Sequence, residues 1–375
     1  MAYLEITGLP LKQPMGEFGL TVNLELERLR GLSVLSDDGE LPRVLADAIT
    51  GRADFSGEIV LNGRRIDPMP ARKRPVRVLG DVPGVIPGRT VRENLELALK
   101  RRALEVGDEV FLVEQELQTG MLAGLGNMRA ESLDPAASTI LAAARILLVG
   151  FDLLLIQKLP VPCIRSRHDD DSWKPGMLLD ALLELKDLLR RHRATWISLL
   201  TDPACVHVLS DRVAVFAQGG IIQEGSLREC MNAPASRLVA DFLAFPRMNY
   251  RTVRVERDGP FVLLRSGRYG FNVSEYVKRH LTSREGDSVI LGIRPEDLRV
   301  RAYETGDPTV INLAKITRVD AIPGALVVRL DVEGDEWLAM VEPGRSVFTG
   351  QLVELRPDPD KIHLFHPING ASLLD

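Results

Sequence analysis

The chain has 375 residues, a net charge of −5 and 45% hydrophobic residues, values typical of a soluble globular protein with two or three domains. The net charge gives no indication of a nucleic-acid partner. A basic start followed by an apolar block is not present, so no signal peptide is predicted. Residues 146–156, among the longest apolar runs, are too short to span a bilayer. Three unpatterned cysteines fit a reducing cytoplasm and argue against a disulfide framework or a zinc site: Cys163, Cys205 and Cys230.

The first 35 residues alternate apolar and polar side chains, as in Leu20–Leu26, and predict a hairpin-like antiparallel layer. Leu32–Leu35 then predicts a short buried strand. We expect a helix after it, with Pro42 near its first turn and Gly51 at its end, because proline suits the first turn and glycine the position after the last.

The middle of the chain alternates helical and strand patterns. Glu93–Leu147 is predicted to be mostly helical, and Leu153–Ile156 to be a buried strand. A leucine-rich amphipathic helix is predicted over Met177–Arg193 and another apolar strand over Trp196–Leu200. This alternation favours a largely parallel sheet with helices on its faces.

The composition changes near Phe245-Pro246, after which alternating strands and Gly/Pro turns dominate. Only Ser274–Leu281 predicts a helix there, so we expect an all-β domain. Two short segments lie near its middle and its end, ILGIRPEDL at 290–298 and DPDKIHLF at 358–365.

A family resemblance rests first on Gly57–Leu95, which reads GEIVLNGRRIDPMPARKRPVRVLGDVPGVIPGRTVRENL. It resembles the segment between the first two nucleotide-binding motifs of ABC-transporter ATP-binding subunits of carbohydrate importers, the maltose or glycerol-phosphate type. The segments at 290–298 and 358–365 resemble the two ends of that family's C-terminal barrel, and Asp211–Gly225 resembles its strand-turn-strand after the switch region.

The resemblance implies a P-loop NTPase-like α/β domain followed by an all-β barrel of the OB/TOBE type. The expected ATPase-like domain covers residues 1–245, with a helical subdomain at about 93–147, and the barrel covers 246–375.

The phosphate-binding loop of the family is G-x-x-x-x-G-K-[ST], whose lysine and amides hold phosphate. The resemblance places it at SDDGELPR, with Pro42 at the lysine position and Arg43 at the Ser/Thr position, in a loop of Ser36, Asp37, Asp38, Gly39, Glu40, Leu41, Pro42 and Arg43. Like charges about 4 Å apart repel by roughly 1–4 kcal/mol, so its carboxylates oppose nucleotide binding. Our hypothesis is that Asp37 or Asp38 takes the place of phosphate at the helix N-terminus.

The magnesium and water-activating carboxylates of the family fall at Gln157 and Lys158. An amide is a weak magnesium ligand, and lysine cannot act as a base unless its pKa falls by several units. Lys158 is interpreted either as pairing with Asp37 or Asp38 or as a solvated side chain.

The signature motif, which contacts ATP held by an opposing subunit, falls at Leu133, Asp134, Pro135, Ala136 and Ala137. Asp134 would present a negative charge to phosphate, and Pro135 removes an amide. Three other family positions are also replaced: the Q-loop glutamine by Asp81, the switch histidine by Thr201 and the Ser-Asn-Leu-Asp loop by VPCI at 161–164. The aromatic residue that stacks on adenine is missing from its expected place near Gln13, and Phe18 is close to that place but out of register.

An insertion, RSRHDDDSWKP at 165–175, is interpreted as a solvated loop rather than a metal site. Thr90–Leu95 resembles the start of the family's helical subdomain, and the resemblance implies that, together with Asp81–Gly88, here called the docking segment, it forms a groove for a coupling helix of a membrane permease. The apolar residues of the docking segment would be buried by that helix, the alternative being an ordinary surface loop: Val82, Val85, Ile86 and Pro87.

The resemblance and its replaced motifs together predict a non-catalytic ATPase-like subunit of a carbohydrate or polyol importer, with no ATP or magnesium cofactor expected. It would dock on integral-membrane permease subunits at the cytoplasmic face and pair with itself or with a second, active ATPase subunit. The alternatives are a soluble regulatory or scaffold protein and an ATPase with nonstandard motifs. The transported solute and the choice between homodimer and heterodimer stay open.

Overall fold

The computed structural model describes residues 2–12, 18–36, 40–53, 57–80, 84–100, 106–157, 159, 175–200, 202–217, 220–303, 312–322 and 324–374. The chain divides into two compact units, Met1–Leu227 and Arg228–Asp375.

The first unit combines parallel and antiparallel strands with helices. Its strands are β1 (Leu4–Lys12), β2 (Phe18–Leu26), β3 (Gly31–Ser36), β4 (Glu58–Leu61), β5 (Arg64–Arg65), β6 (Val76–Leu79), β7 (Leu153–Ile156), β8 (Trp196–Ser198), β9 (Arg212–Ala217) and β10 (Gly220–Ser226). Its helices are α1 (Glu40–Thr50), α2 (Val91–Leu99), α3 (Val106–Gln118), α4 (Pro135–Val149), α5 (Pro175–Arg191) and α6 (Pro203–Leu209).

The central sheet of the first unit has the strand order β10-β9-β3-β8-β7-β6, parallel except for the β9–β10 hairpin. Strands β3 and β7 are buried throughout, as expected for parallel strands covered on both faces. A second sheet, β2-β1-β4-β5, is antiparallel. The predicted N-terminal hairpin and the predicted parallel sheet are therefore confirmed.

Helix α1 begins at Glu40 and ends before Gly51, whose φ of 74° lies in the left-handed region that glycine tolerates. Its buried residues share one face and pack into the core formed with both sheets: Leu41, Leu45, Ala46, Ala48 and Ile49. The predicted helix with Pro42 in its first turn is confirmed. Helix α5 ends two residues before the predicted Arg193, because Arg193 adopts a left-handed φ of 52° that no helix continues.

The second unit is mostly β. After α7 (Leu227–Asn232) and α8 (Arg237–Leu243) come the strands β11 (Asn249–Asp258), β12 (Phe261–Ser266), β13 (Tyr269–Asn272), β14 (Ser288–Ile293), β15 (Leu298–Ala302), β16 (Leu313–Ile322), β17 (Ala325–Val332), β18 (Asp335–Val341), β19 (Leu352–Pro357) and β20 (His363–Phe365), with α9 (Glu275–Leu281) between β13 and β14. The strands form two five-stranded antiparallel sheets, β13-β12-β11-β14-β20 and β15-β19-β16-β17-β18, over one shared core. The predicted all-β region with a helix after Ser274 is confirmed.

The two short segments that carry the family resemblance in the second unit lie next to each other in the fold. ILGIRPEDL covers the end of β14 and the turn after it, and DPDKIHLF runs into β20, which pairs with β14 through Ile290↔Phe365. The two segments are thus neighbours in one sheet although they lie far apart in the sequence.

Candidate functional site

The candidate site lies at the carboxyl ends of the central parallel strands, where open α/β sheets bind ligands. In the ladder, Ser198 of β8 pairs with Ser33 of β3 on one side and with Ile156 of β7 on the other. Ser36 ends β3 and Gln157 directly follows β7, so these two predicted positions stand at the same edge of the sheet.

The N-terminus of α1 takes in half of the predicted phosphate loop, because Glu40, Leu41, Pro42 and Arg43 are helical. Pro42 is the third residue of the helix and has no N–H to offer an anion. The exposed guanidinium of Arg43 lies 3.8 Å from Glu40 and 3.6 Å from Asp47, along the helix surface. Asp37, Asp38 and Gly39 lie outside the described residues, and so does their predicted role.

Gln157 directly follows β7, and its backbone N–H donates a hydrogen bond to the Leu79 carbonyl at 3.0 Å. Within the described part of the chain, its side-chain Oε1 and the hydroxyl of Ser198 are buried without a hydrogen-bond partner. Lys158, Thr201 and Asp81 lie outside the described residues.

The N-terminus of α4 coincides with the predicted signature position. Asp134 is the N-cap residue, and its Oδ1 accepts a hydrogen bond from the Ala137 N–H at 2.9 Å. Pro135 follows at the first helical position, where its missing N–H costs nothing. Of the first amides of α4, one is absent and one already has an acceptor, so a carboxylate occupies the place that a phosphate would need.

The same Asp-Pro arrangement recurs at α6, next to the predicted switch position. Asp202 is buried, and its Oδ1 accepts from the Ala204 N–H at 2.9 Å, with Pro203 at the first helical position. The N-termini of α4 and α6, both next to predicted nucleotide positions, are thus capped by aspartate side chains of the chain itself.

The described part of the docking segment is held by two helices. Asn94 of α2 is fully buried; its Oδ1 accepts from the Ile86 N–H at 2.7 Å, and its Nδ2 donates to the Ile86 carbonyl at 3.1 Å. Arg145 of α4 donates to the Gly84 carbonyl. A Cβ on Gly84 would lie 2.3 Å from Ala142 Cβ, so only glycine lets the segment approach α4 this closely.

These contacts leave the apolar side chains of the segment partly available. Val85 and Ile86 are half-buried and Pro87 is exposed, whereas Val82 lies outside the described residues. The residues that fix the segment, Asn94 and Arg145, were not predicted as site residues. Asn94 directly follows the Thr90–Glu93 capping box that starts α2, and this start can be recognised in the sequence. The burial of Asn94, which indicates its role, is visible only in the structure.

The chain is similar to known proteins in sequence and in fold. Residues 246–298 match the model of the MalK OB fold domain. The chain is 24% identical over 356 residues to the sn-glycerol-3-phosphate import ATP-binding protein UgpC 2 of Agrobacterium fabrum, covering 92% of this chain and 90% of that protein. Among solved structures, cbiO1 from Clostridium perfringens, part of the ABC transporter complex cbiONQ, matches with a TM-score of 0.49 and 16% identity over 61% of this chain and 94% of that chain.

The full-length similarity and the domain match confirm the resemblance to ATP-binding subunits of ABC carbohydrate importers, and the match at 246–298 confirms the OB-type region within the β unit. No helix in the described ranges is long and apolar enough to cross a membrane.

Proposed function

We propose that this chain, a relative of the ATP-binding subunits of ABC importers, is a non-catalytic subunit of an importer for a carbohydrate or polyol. It docks on membrane permease subunits at the cytoplasmic face of the membrane and pairs with an active ATPase or with a second copy of itself. The similar protein from Agrobacterium fabrum is described as importing sn-glycerol-3-phosphate, which supports the solute class and leaves the individual solute open.

The observation that carries the non-catalytic role is the hydrogen bond from the Ala137 N–H to Asp134. A helix N-terminus binds phosphate through free amides and its positive dipole end. At α4 the carboxylate already neutralises the dipole and Pro135 supplies no amide. A phosphate would have to displace Asp134 and overcome its charge, so this surface is a poor partner for nucleotide held by an opposing subunit.

The edge of the central sheet supports the same role. Pro42 removes an amide and the lysine charge from the first turn of α1, and Glu40 adds a carboxylate there. Gln157, at the end of β7, offers a neutral amide in place of a magnesium-binding carboxylate. Three independent changes, on α1, β7 and α4, each weaken triphosphate binding.

Permease docking rests on the docking segment. Hydrogen bonds with Asn94 and Arg145 hold the backbone of its described part at Gly84 and Ile86. Half-buried Val85 and Ile86 retain apolar surface that a partner helix can cover. A loop that is rigid before binding loses less conformational entropy when a partner arrives. The segment therefore suits a mechanical role that needs no nucleotide chemistry.

We expect titration of the purified full chain with ATP and excess magnesium to give no saturable heat at nucleotide concentrations up to about 1 mM, equivalent to binding weaker than about 4 kcal/mol. An intact importer ATPase, titrated in the same buffer, is the positive control. Magnesium-dependent binding in the micromolar range would show that the replaced motifs still hold nucleotide and would overturn the non-catalytic role.

Co-purification from membranes tests the docking role separately. The full chain is expected to retain permease subunits, and Val85→Glu is expected to lose most of them, because a carboxylate cannot be buried unpaired against an apolar helix. Leu183→Glu is the matched control, since Leu183 is an exposed leucine of α5 in the same unit. Equal recovery with both variants would remove the docking segment from the interface, and recovery of no permease by the unmodified chain would remove the transport role.

A further inference from the structure

A buried carboxylate on α3 is not explained by the proposed site. Glu116 lies on the same helix face as Val113 and Leu117, three residues and one residue away, and all three are buried. Its side chain is only 4% exposed. Carboxylates are almost never buried to this extent unless they are paired.

The partner of Glu116 is a histidine just beyond the end of α5. His192 Nε2 lies 2.7 Å from Glu116 Oε1, and the imidazole is 20% exposed. The His192 N–H donates to the Leu188 carbonyl at 3.1 Å, and Arg193 turns the chain away with its left-handed φ. This places the imidazole at a helix C-terminus, where a positive charge is favoured.

Arg191 also faces this carboxylate but is shared. Its Nη1 lies 4.0 Å from Glu116 Oε2 and donates to Thr119 Oγ1 at 3.0 Å. Its Nε donates to Asp187 at 2.9 Å, and its Nη2 lies 3.7 Å from Glu184. Three carboxylates therefore surround one guanidinium, so the negative charge exceeds the positive by two when His192 is neutral and by one when it is protonated.

The contact between the end of α3 and α5 is close. Gly120, with a φ of 61°, leaves no room for a side chain, since a Cβ would lie 1.7 Å from Glu184 Oε1. The charged cluster thus links α3, and the turn that follows it, to α5.

We propose that Glu116 and His192 form a protonation-sensitive latch that holds α3 against the C-terminal end of α5. Histidine is the side chain whose charge ordinarily changes between pH 5 and 8. A protonated imidazole donates a charge-assisted hydrogen bond, about twice as strong as the neutral bond that remains after deprotonation. The latch is tight at mildly acidic pH and loosens as pH rises, independently of any transport role.

Hydrogen exchange of the full chain tests the latch. We expect the protection factors of α3 amides, corrected for intrinsic exchange, to be about three- to tenfold higher at pH 5.5 than at pH 8. Glu116→Gln is expected to abolish this difference. His192→Lys, which stays charged over this range, is expected to give protection that does not vary with pH.

Glu114→Gln is the matched control. Glu114 lies on the same helix and pairs with Arg92 of α2 instead, so this variant is expected to keep the pH effect of the unmodified chain. Protection of α3 that is the same at both pH values in the unmodified chain overturns the latch, even if a variant fails to fold. The same pH effect in a folded Glu116→Gln variant also overturns it.

Discussion

Replacing Arg74 with methionine is expected to lower the free energy of unfolding of the first unit by about 3–5 kcal/mol. The Arg74 guanidinium is buried and donates to four backbone carbonyls, two at the end of α1 and two in the segment between β5 and β6: Ala48, Ile49, Asp67 and Met69. Methionine fills a similar volume but donates nothing. Four charged hydrogen bonds would be lost, but the net loss stays below the sum of four separate contributions of about 1.5–3 kcal/mol. The Ala48 carbonyl keeps a hydrogen bond from the Gly51 N–H, and the partly buried carbonyls of Asp67 and Met69 can bind water instead.

The position of Arg74 makes this loss specific to α1. The last carbonyls of a helix have no partner within it, and a positive charge there also complements the helix dipole. A Cβ on Gly51 would lie 2.7 Å from the Arg74 guanidinium carbon, so the chain closes tightly over the side chain as α1 ends. Without the guanidinium, the end of α1 would lose the contact that joins it to the chain leading into β6.

Urea unfolding followed by circular dichroism measures the effect. Arg72→Met is the control, because Arg72 is exposed two residues away and is expected to change stability by less than about 0.5 kcal/mol. A loss below about 1 kcal/mol for Arg74→Met, with an unchanged slope on denaturant, would show that water replaces the guanidinium without cost.

The parts of the fold that were predictable are those where local pattern and tertiary burial agree. Leu153–Ile156 is apolar without interruption and is a fully buried strand, and Gly51 ends α1 as its conformational freedom suggested. Helices α7 and α8 were not predicted. They have six and seven residues, too few for a helical period to emerge from the sequence.

Helix α3 shows why side-chain roles were harder to predict than elements. Val110 and Phe111 are 56% and 68% exposed, whereas Glu116 on the same helix is buried. Reading polarity alone would place Glu116 in solvent and the two apolar residues in the core. The partner that makes its burial possible, His192, lies 76 residues away in sequence. No local pattern carries that information.

The candidate site was predictable to a different degree at each position. The Asp-Pro pair at 134–135 has the composition of a helix start, so the cap on α4 could be read from sequence once the register was set. The hold of Asn94 and Arg145 on the docking segment depends on how α2 and α4 pack, which only the structure gives. The roles of Asp37, Asp38, Lys158, Thr201, Asp81 and Val82 stay predictions.

Acid is expected to destabilise the second unit through His363. Its imidazole is buried on β20, stacked near Phe365 with ring centroids 6.3 Å apart, and burial followed by the nearby Arg294 charge lowers the pKa of His363 to about 4. The unfolded chain takes up a proton near pH 6.5, whereas the folded chain does so only near pH 4. The neutral imidazole therefore contributes stability that is complete above pH 6.5 and is lost as the pH falls toward 4. At about 1.4 kcal/mol per pKa unit, the loss reaches about 3 kcal/mol.

Two carboxyl groups in the same unit act in the opposite direction. Partial desolvation raises the pKa values of Asp241 and Glu296, although both side chains keep exposed surface, so protonation of each adds stability as the pH falls. The acid response of the unmodified chain is the sum of these effects, and one denaturation curve cannot assign it to His363. A substitution that removes only the imidazole charge separates the contributions.

His363→Phe provides that separation, with a ring that can stack on Phe365 and cannot titrate. Any packing penalty from the larger ring is independent of pH. In urea unfolding followed by tryptophan fluorescence, to which Trp337 of this unit contributes, we expect a constant stability difference above pH 7. As the pH falls from 6.5 toward 4, the unmodified chain should lose up to about 3 kcal/mol relative to the variant. His280→Asn, on the half-exposed face of α9, should track the unmodified chain throughout. If the His363→Phe and unmodified curves stay parallel from pH 7 to pH 4.5, the buried imidazole is already solvated or protonated in the folded unit, and another group must account for its acid sensitivity.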